Sequence, residues 1–140
     1  MPTLVRDAMT TMVLTIGPAH TLRQAACLMA ARRVGAAVVL DPETSGVGIL
    51  TERDILNSLG AGQDPDRESA HAHTTTDVVF AAPHWTLAEA ACAMTRGGFR
   101  HLVVLDGDEP VGIVSVRDVM RCWTAAAAPV PAARTGAVPA

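Results

Sequence analysis

The sequence predicts an α/β protein of the α+β kind, built from two β-α-β-β-α units packed on one another. Residues 18–41 return at 83–106 with an offset of 65, so that Pro18 matches Pro83, Thr21 Thr86, Cys27 Cys92, Met29 Met94 and Asp41 Asp106. A second block, Val47 to Asp54, returns as Val111 to Asp118 with an offset of 64, which makes one turn longer by a residue in the first copy. Within each copy the hydrophobic period switches in the same order, from an apolar run to a helical stripe and back to apolar runs.

Residues 2–9 are expected to form a short helix that packs on the module. Val13 to Ile16 is a strand ended by Gly17-Pro18. Thr21-Leu-Arg-Gln24 and Thr86-Leu-Ala-Glu89 are capping boxes, each opening a helix. Leu22, Ala25, Ala26 and Met29, and their counterparts Leu87, Ala90, Ala91 and Met94, then recur at helical spacing as core positions. Ala36 to Leu40 and Leu102 to Leu105 are strands that stop at Asp-Pro and Asp-Gly turns. Val47 to Leu50 and Val111 to Val114 are the next strands, and helices start from Thr51 and Ser115. These runs do not alternate with polar residues, so both faces of each strand are expected to be covered. The expected organisation is repeat 1 at 3–60, a polar, breaker-rich connector at 61–76, repeat 2 at 77–123, and a disordered Ala/Pro-rich tail at 124–140.

A chain of 140 residues with 49% hydrophobic content can bury a substantial core. The net charge is −3, and all eleven cationic side chains are arginines without a basic run, which disfavours bulk nucleic-acid binding. No signal-like segment or membrane-spanning apolar stretch stands out, so the expected location is the cytoplasm. Cys27, Cys92 and Cys122 are odd in number and widely spaced, a pattern of small packing residues rather than a disulfide framework or zinc site. His71 and His73 have a metal-like spacing, but lie among polar residues without a convincing third ligand, and are expected in a solvated loop; no metal is expected.

Each copy ends its last strand with Gly-h-h-Thr/Ser-x-Arg-Asp, at Gly48 to Asp54 and Gly112 to Asp118. A hydroxyl where a strand becomes a helix points, with the first free N–H groups, toward one spot suited to an anion. The aspartate three residues on can accept hydrogen bonds from vicinal hydroxyls such as those of a ribose. The same pair also caps any helix, but recurrence of the glycine, hydroxyl, arginine and aspartate in both copies favours a binding role.

The β-α-β-β-α unit, the Ala-Ala-x-x-Met helix, the Val-Val-x-Asp strand end and the Gly-h-h-Thr/Ser-x-x-Asp close resemble the cystathionine β-synthase (CBS) domain, present as a tandem pair over residues 3–123. The chain is also similar to small bacterial CBS-pair proteins at Thr51-Glu-Arg-Asp-Ile-Leu56 and Ala61-Gly-Gln-Asp-Pro-Asp66. The resemblance implies two repeats about a pseudo-twofold axis, with two clefts for adenosine-containing ligands: AMP, ADP, ATP, S-adenosylmethionine or a dinucleotide such as NAD. It implies that Asp54 and Asp118 hold ribose hydroxyls, that Thr51 and Ser115 lie near phosphate or ribose, and that Thr15, Ile16, Phe80 and Ala81 flank the base. Phe80, where repeat 1 has Thr15, either stacks on a base or fills its cleft.

Arg100-His101 opens the middle strand of repeat 2, where relatives often carry phosphate-facing basic residues; repeat 1 has Gly35-Ala36 there, so the clefts are expected to be unequal. Arg53 and Arg117 either reach phosphate or face solvent. The expected function is a regulatory module without a required cofactor, signalling nucleotide occupancy through a homodimer or an unknown protein partner. The alternative is a ligand-independent stress or interaction module with closed clefts. Neither a nucleophile elbow nor a P-loop is present, and an enzyme is not expected.

Overall fold

The computed structural model describes residues 3–44, 46–125 and 136, so the tail from 126 onward, apart from Gly136, lies outside the described residues. Repeat 1 contains β1 (Thr15–Ile16), α2 (Leu22–Arg32), β2 (Ala36–Asp41), β3 (Gly46–Thr51) and α3 (Glu52–Gly60), preceded by α1 (Val5–Ala8). Repeat 2 contains β4 (Phe80–Ala81), α5 (Leu87–Gly97), β5 (His101–Asp106), β6 (Glu109–Ser115) and α6 (Val116–Thr124), preceded by α4 (Ala70–His73). Each repeat forms one three-stranded sheet, β1-β2-β3 or β4-β5-β6, with its first pair parallel and its second antiparallel.

Both capping boxes form. The Thr21 hydroxyl accepts from the Gln24 N–H at 3.1 Å while the Gln24 side chain accepts from the Thr21 N–H at 2.9 Å, and Thr86 and Glu89 repeat the exchange. The first strand is shorter than the apolar run Val13 to Ile16, because only Thr15 and Ile16 pair in register, with Val38 and Val39.

The absence of polar alternation in β2 and β5 has a direct structural cause. Successive residues alternate between two apolar destinations, since Ala37 and Val39 face α2 in one core whereas Ala36 and Val38 meet Val103 and Ile113 of the other repeat. Leu102 and Val104 likewise join Leu87, Ala90 and Met94 under α5. The two sheets therefore pack face to face through Val38, Ile49, Val103 and Ile113, related by a pseudo-twofold axis.

The short helices are exchanged between repeats. Val5 and Ala8 of α1 are buried in the core of repeat 2, where the Val5 N–H donates to the Trp85 carbonyl at 2.7 Å. Ala70 of α4 is buried in the core of repeat 1, where its N–H donates to the His20 carbonyl at 2.7 Å. The segment after each short helix then crosses the partner sheet, as Thr10 pairs with Ile113 and Thr75 with Ile49. This crossing explains the repeated glycine of the motif. A Cβ on Gly48 would lie 2.3 Å from Thr74 Cγ2 and 3.0 Å from the Thr75 carbonyl oxygen, and one on Gly112 would lie 2.5 Å from Met9 Sδ and 3.0 Å from the Thr10 carbonyl oxygen.

The segment read as a polar connector thus carries a helix rather than a loop, and the expectation of a solvated side chain holds for His71 but not for His73. His71 and His73 lie on α4, and His73 Nε2 is 2.8 Å from the Glu68 carboxylate rather than free in solvent. Ser69, whose hydroxyl caps α4, and the buried Ala70 are the cause: one small apolar residue suffices to anchor a single turn.

Candidate functional site: a cationic cleft between the repeats

The strand-to-helix junctions are built alike. At the first, the Thr51 N–H and hydroxyl both donate to Asp54 Oδ2, at 2.8 and 2.9 Å; at the second, the Ser115 N–H and hydroxyl donate to Asp118 Oδ2 at 2.8 and 3.0 Å. Each aspartate is therefore a helix cap, and each also keeps a second carboxylate oxygen outside the cap. In repeat 2 that oxygen accepts from Arg121 Nη1 at 2.9 Å, and Arg121 Nη2 donates to the Ala8 carbonyl at 3.0 Å. Asn57 stands at the position of Arg121 in repeat 1.

A cleft of about 840 Å³ opens at the second junction. Repeat 2 contributes Arg100, His101, Ser115, Arg117, Asp118 and Arg121, five of them expected from the sequence. Antiparallel pairing of His101 with Ser115 sets the strand and helix contributions side by side. The facing wall comes from repeat 1: Val13 and Leu14 ahead of β1, Met29, Arg33 and Val34 around the end of α2, and Gly35, Ala36 and Glu52. One side is thus strongly cationic, and the other is apolar at Val13, Leu14, Met29 and Val34 with Arg33 and Glu52 beside them, a division that suits a phosphorylated ligand with a flat apolar body.

The electrostatics favour an anion. Arg33, Arg100, Arg117 and Arg121 line the cleft against Glu52 and Asp118, and Asp118 is already paired with Arg121. The buried Nδ1 of His101 has no hydrogen-bond partner among the described residues. Burial pushes the His101 pKa below the ordinary histidine value; Glu52 and Asp118 oppose that shift, while Arg100 and Arg117 reinforce it.

Several expected positions fall elsewhere. Thr15 and Ile16 line a different cleft, of about 870 Å³, with Asp41, Asp106, Asp108 and Glu109. Phe80 packs against the core between the sheets, and Ala81 is buried under α5, so neither residue lines the cationic cleft. The reason is register: β1 pairs at Val38 and β4 at Val103, two residues past the end where Ala36 meets Thr51 and His101 meets Ser115. Residues two places earlier, Val13 and Leu14, reach the cleft instead. Thr51, Arg53 and Asp54 sit at the start of α3 and line neither cleft.

Arg33 was not singled out by its sequence pattern, though a signal was present. It occupies the position of Gly98, two residues before the Gly35/Arg100 difference. Both are left-handed helix ends, with φ 71° at Gly98 and φ 55° at Arg33, the latter unique among described non-glycine residues. A side chain costs on the order of 1 kcal/mol there.

The CBS domain family matches residues 5–61 and again residues 71–124. The chain belongs to the CBS domain family. As a tandem CBS pair it is 36% identical over 118 residues to the CBS domain-containing protein YhcV of Bacillus subtilis, covering 82% of this chain and 81% of YhcV. Hypoxic Response Protein I, solved with two coordinated zinc ions, superposes with a TM-score of 0.71 at 29% identity, covering 85% of this chain and 98% of that one. A CBS domain protein from Pyrobaculum aerophilum complexed with AMP superposes with a TM-score of 0.74 at 26% identity, covering 82% and 88%. Among the described residues no group of three or more His, Cys, Asp or Glu side chains is arranged to hold a metal, and no helix is long and apolar enough to cross a membrane.

Proposed function

We propose that this CBS pair is a cytoplasmic regulatory module that binds an adenosine-containing ligand in the cleft between Arg100, Ser115 and Asp118 of repeat 2 and Val13 and Leu14 of repeat 1. The observation that carries the reading is the cleft itself: about 840 Å³, apolar on one wall and cationic on the other, with a ribose-competent carboxylate at its helix N-terminus. The AMP complex of the Pyrobaculum protein supports the ligand class. In this reading Asp118 receives the ribose hydroxyls, Ser115 and the α6 N-terminus meet phosphate or ribose, Arg100, His101 and Arg117 meet phosphate, and Val13 and Leu14 flank the base. Thr51, Arg53 and Asp54 supply the corresponding groups of a second, weaker position. The ligand is a signal of energy or stress state, not a required cofactor, and no catalytic step is assigned.

Output passes through a homodimer or a protein partner. Leu56 and Leu59 on α3 and Met120 and Trp123 on α6 are large, exposed and matched at the offset of 64. Two equivalent faces on opposite repeats suit a second copy, which places α6 of one subunit on α3 of the other. Phe80, the residue offered as closing a cleft in the alternative reading, packs between the sheets and does not fill the cleft at Asp118.

Thermal-shift titration with AMP, ADP, ATP, S-adenosylmethionine and NAD tests the reading. Ligand at 100 times its Kd stabilises by about 2.7 kcal/mol. Failure of all five to shift Tm at millimolar concentration would leave the interaction-module reading.

A further inference from the structure

We infer that the cleft of repeat 2 selects a polyphosphate chain, and that Arg33, reaching in from repeat 1, is the residue that makes this selection. The inference rests on the nucleotide reading above and narrows it to di- and triphosphates. Its first support is the distribution of charge. Arg121 is occupied by Asp118 and the Ala8 carbonyl, whereas no hydrogen bond or ion pair engages the side chains of Arg33, Arg100 or Arg117 among the described residues. Glu52 is the single carboxylate of the lining left to oppose these three. A monophosphate can be satisfied by Arg100 and Arg117 beside the α6 N-terminus. The cation on the opposite repeat is then left for further phosphate groups, which a triphosphate supplies and S-adenosylmethionine, with its sulfonium, does not.

The second support is conformational. At the same helix end repeat 2 uses Gly98, which adopts a left-handed φ freely, whereas repeat 1 puts Arg33 there at φ 55°. A cation favours the negative end of a helix, but Arg32 already supplies one in the last turn of α2, so the dipole does not require a second arginine at the strained position. What Arg33 gains is position: its side chain lines the cleft of the other repeat, while the glycine in repeat 2 offers no equivalent group. Arg33 therefore adds to the Gly35/Arg100 difference, since both place cations in this one cleft.

Isothermal titration of the full chain with ATP, AMP, S-adenosylmethionine and inorganic tripolyphosphate, with Tm measured in parallel, tests the proposal. Wild type should bind ATP on the order of tenfold more tightly than AMP, as expected for an added charge-assisted phosphate contact. Arg33→Gly should remove that preference, weaken tripolyphosphate and leave AMP within about twofold, while raising Tm by releasing the left-handed strain. Arg33→Gln should lose the same preference without the gain in Tm, which separates the ligand contact from the helix end. Equal ATP and AMP affinities in wild type, or an unchanged ATP-to-AMP ratio in both variants, overturn the assignment of Arg33 and leave the adenosine reading standing. Tripolyphosphate binding with no nucleotide bound overturns the adenosine reading and leaves the polyphosphate site standing; binding of none of the four overturns both.

Discussion

The two repeats share a frame but not its surroundings. Thr51 with Asp54 and Ser115 with Asp118 make the same hydrogen bonds to within a few tenths of an ångström, and Gly48 and Gly112 each admit a crossing segment, at Thr75 and at Thr10. Around those frames, Gly35, Ala36 and Asn57 of repeat 1 stand where repeat 2 has Arg100, His101 and Arg121. The difference teaches that the duplicated motif by itself specifies a helix start. In the proposed reading Asp118 of the motif meets the ribose, while the cationic character of its cleft comes from the unmatched Arg100, His101 and Arg121 and from Arg33 across the cleft.

The largest expected effect concerns what the frames share. Gly48→Ala pushes a methyl group into Thr74 Cγ2 at 2.3 Å beside the Thr75 carbonyl, and overpacking of that kind costs about 1–3 kcal/mol. Gly112→Ala meets Met9, whose sulfur lies on a flexible side chain, so it should cost less. Urea denaturation of both variants checks the order. Equal losses would mean that the neighbouring carbonyls, both at 3.0 Å, dominate both sites.

The asymmetry was legible in sequence, but the exchange of short helices was not. Capping boxes, strand order and the Gly35/Arg100 contrast follow from local patterns that the fold preserves. Helix α4 escaped because its burial depends on one alanine, Ala70, amid histidines and hydroxyls, and α1 gives no hint that its partners are Trp85 and Leu87 rather than its own repeat. Thr15, Ile16, Phe80 and Ala81 fall outside the cationic cleft for a related reason: an apolar run such as Val13 to Ile16 has no marker for where pairing begins. The register with Val38 decides that, and it is a tertiary property.

Substitution at the two aspartates sharpens the contrast in binding. Asp118→Asn should weaken nucleotide by about tenfold or more, as expected on losing hydrogen bonds to a charged acceptor, whereas Asp54→Asn should leave that cleft nearly unchanged. Calorimetric titration of both variants supplies the comparison; equal losses would make the repeats functionally equivalent. The outer faces offer a further test, since they are alike where the clefts are not. Leu56→Glu and Trp123→Glu should each shift the assembly toward monomer in sedimentation at micromolar concentration, and if α3 meets α6 across the twofold, either change alone should suffice. A dimer that survives both substitutions would place the interface elsewhere.

The smallest effect isolates His101, which has no counterpart in repeat 1 because Ala36 fills its place. Burial holds its folded pKa below the unfolded value, so between those values the unfolded chain binds more protons. Its contribution to stability is therefore complete above the ordinary histidine range, near 6.5, and is lost as pH falls through the lower folded value. His101→Gln should flatten that part of the Tm profile below neutrality. Bound phosphate should act in the opposite direction, because an anion in the cleft that His101 lines favours the imidazolium. Nucleotide affinity in wild type is then expected to rise as pH falls below the ordinary histidine range, and to do so less in the glutamine variant. A rise of equal size in both would assign the proton to the ligand phosphate rather than to His101.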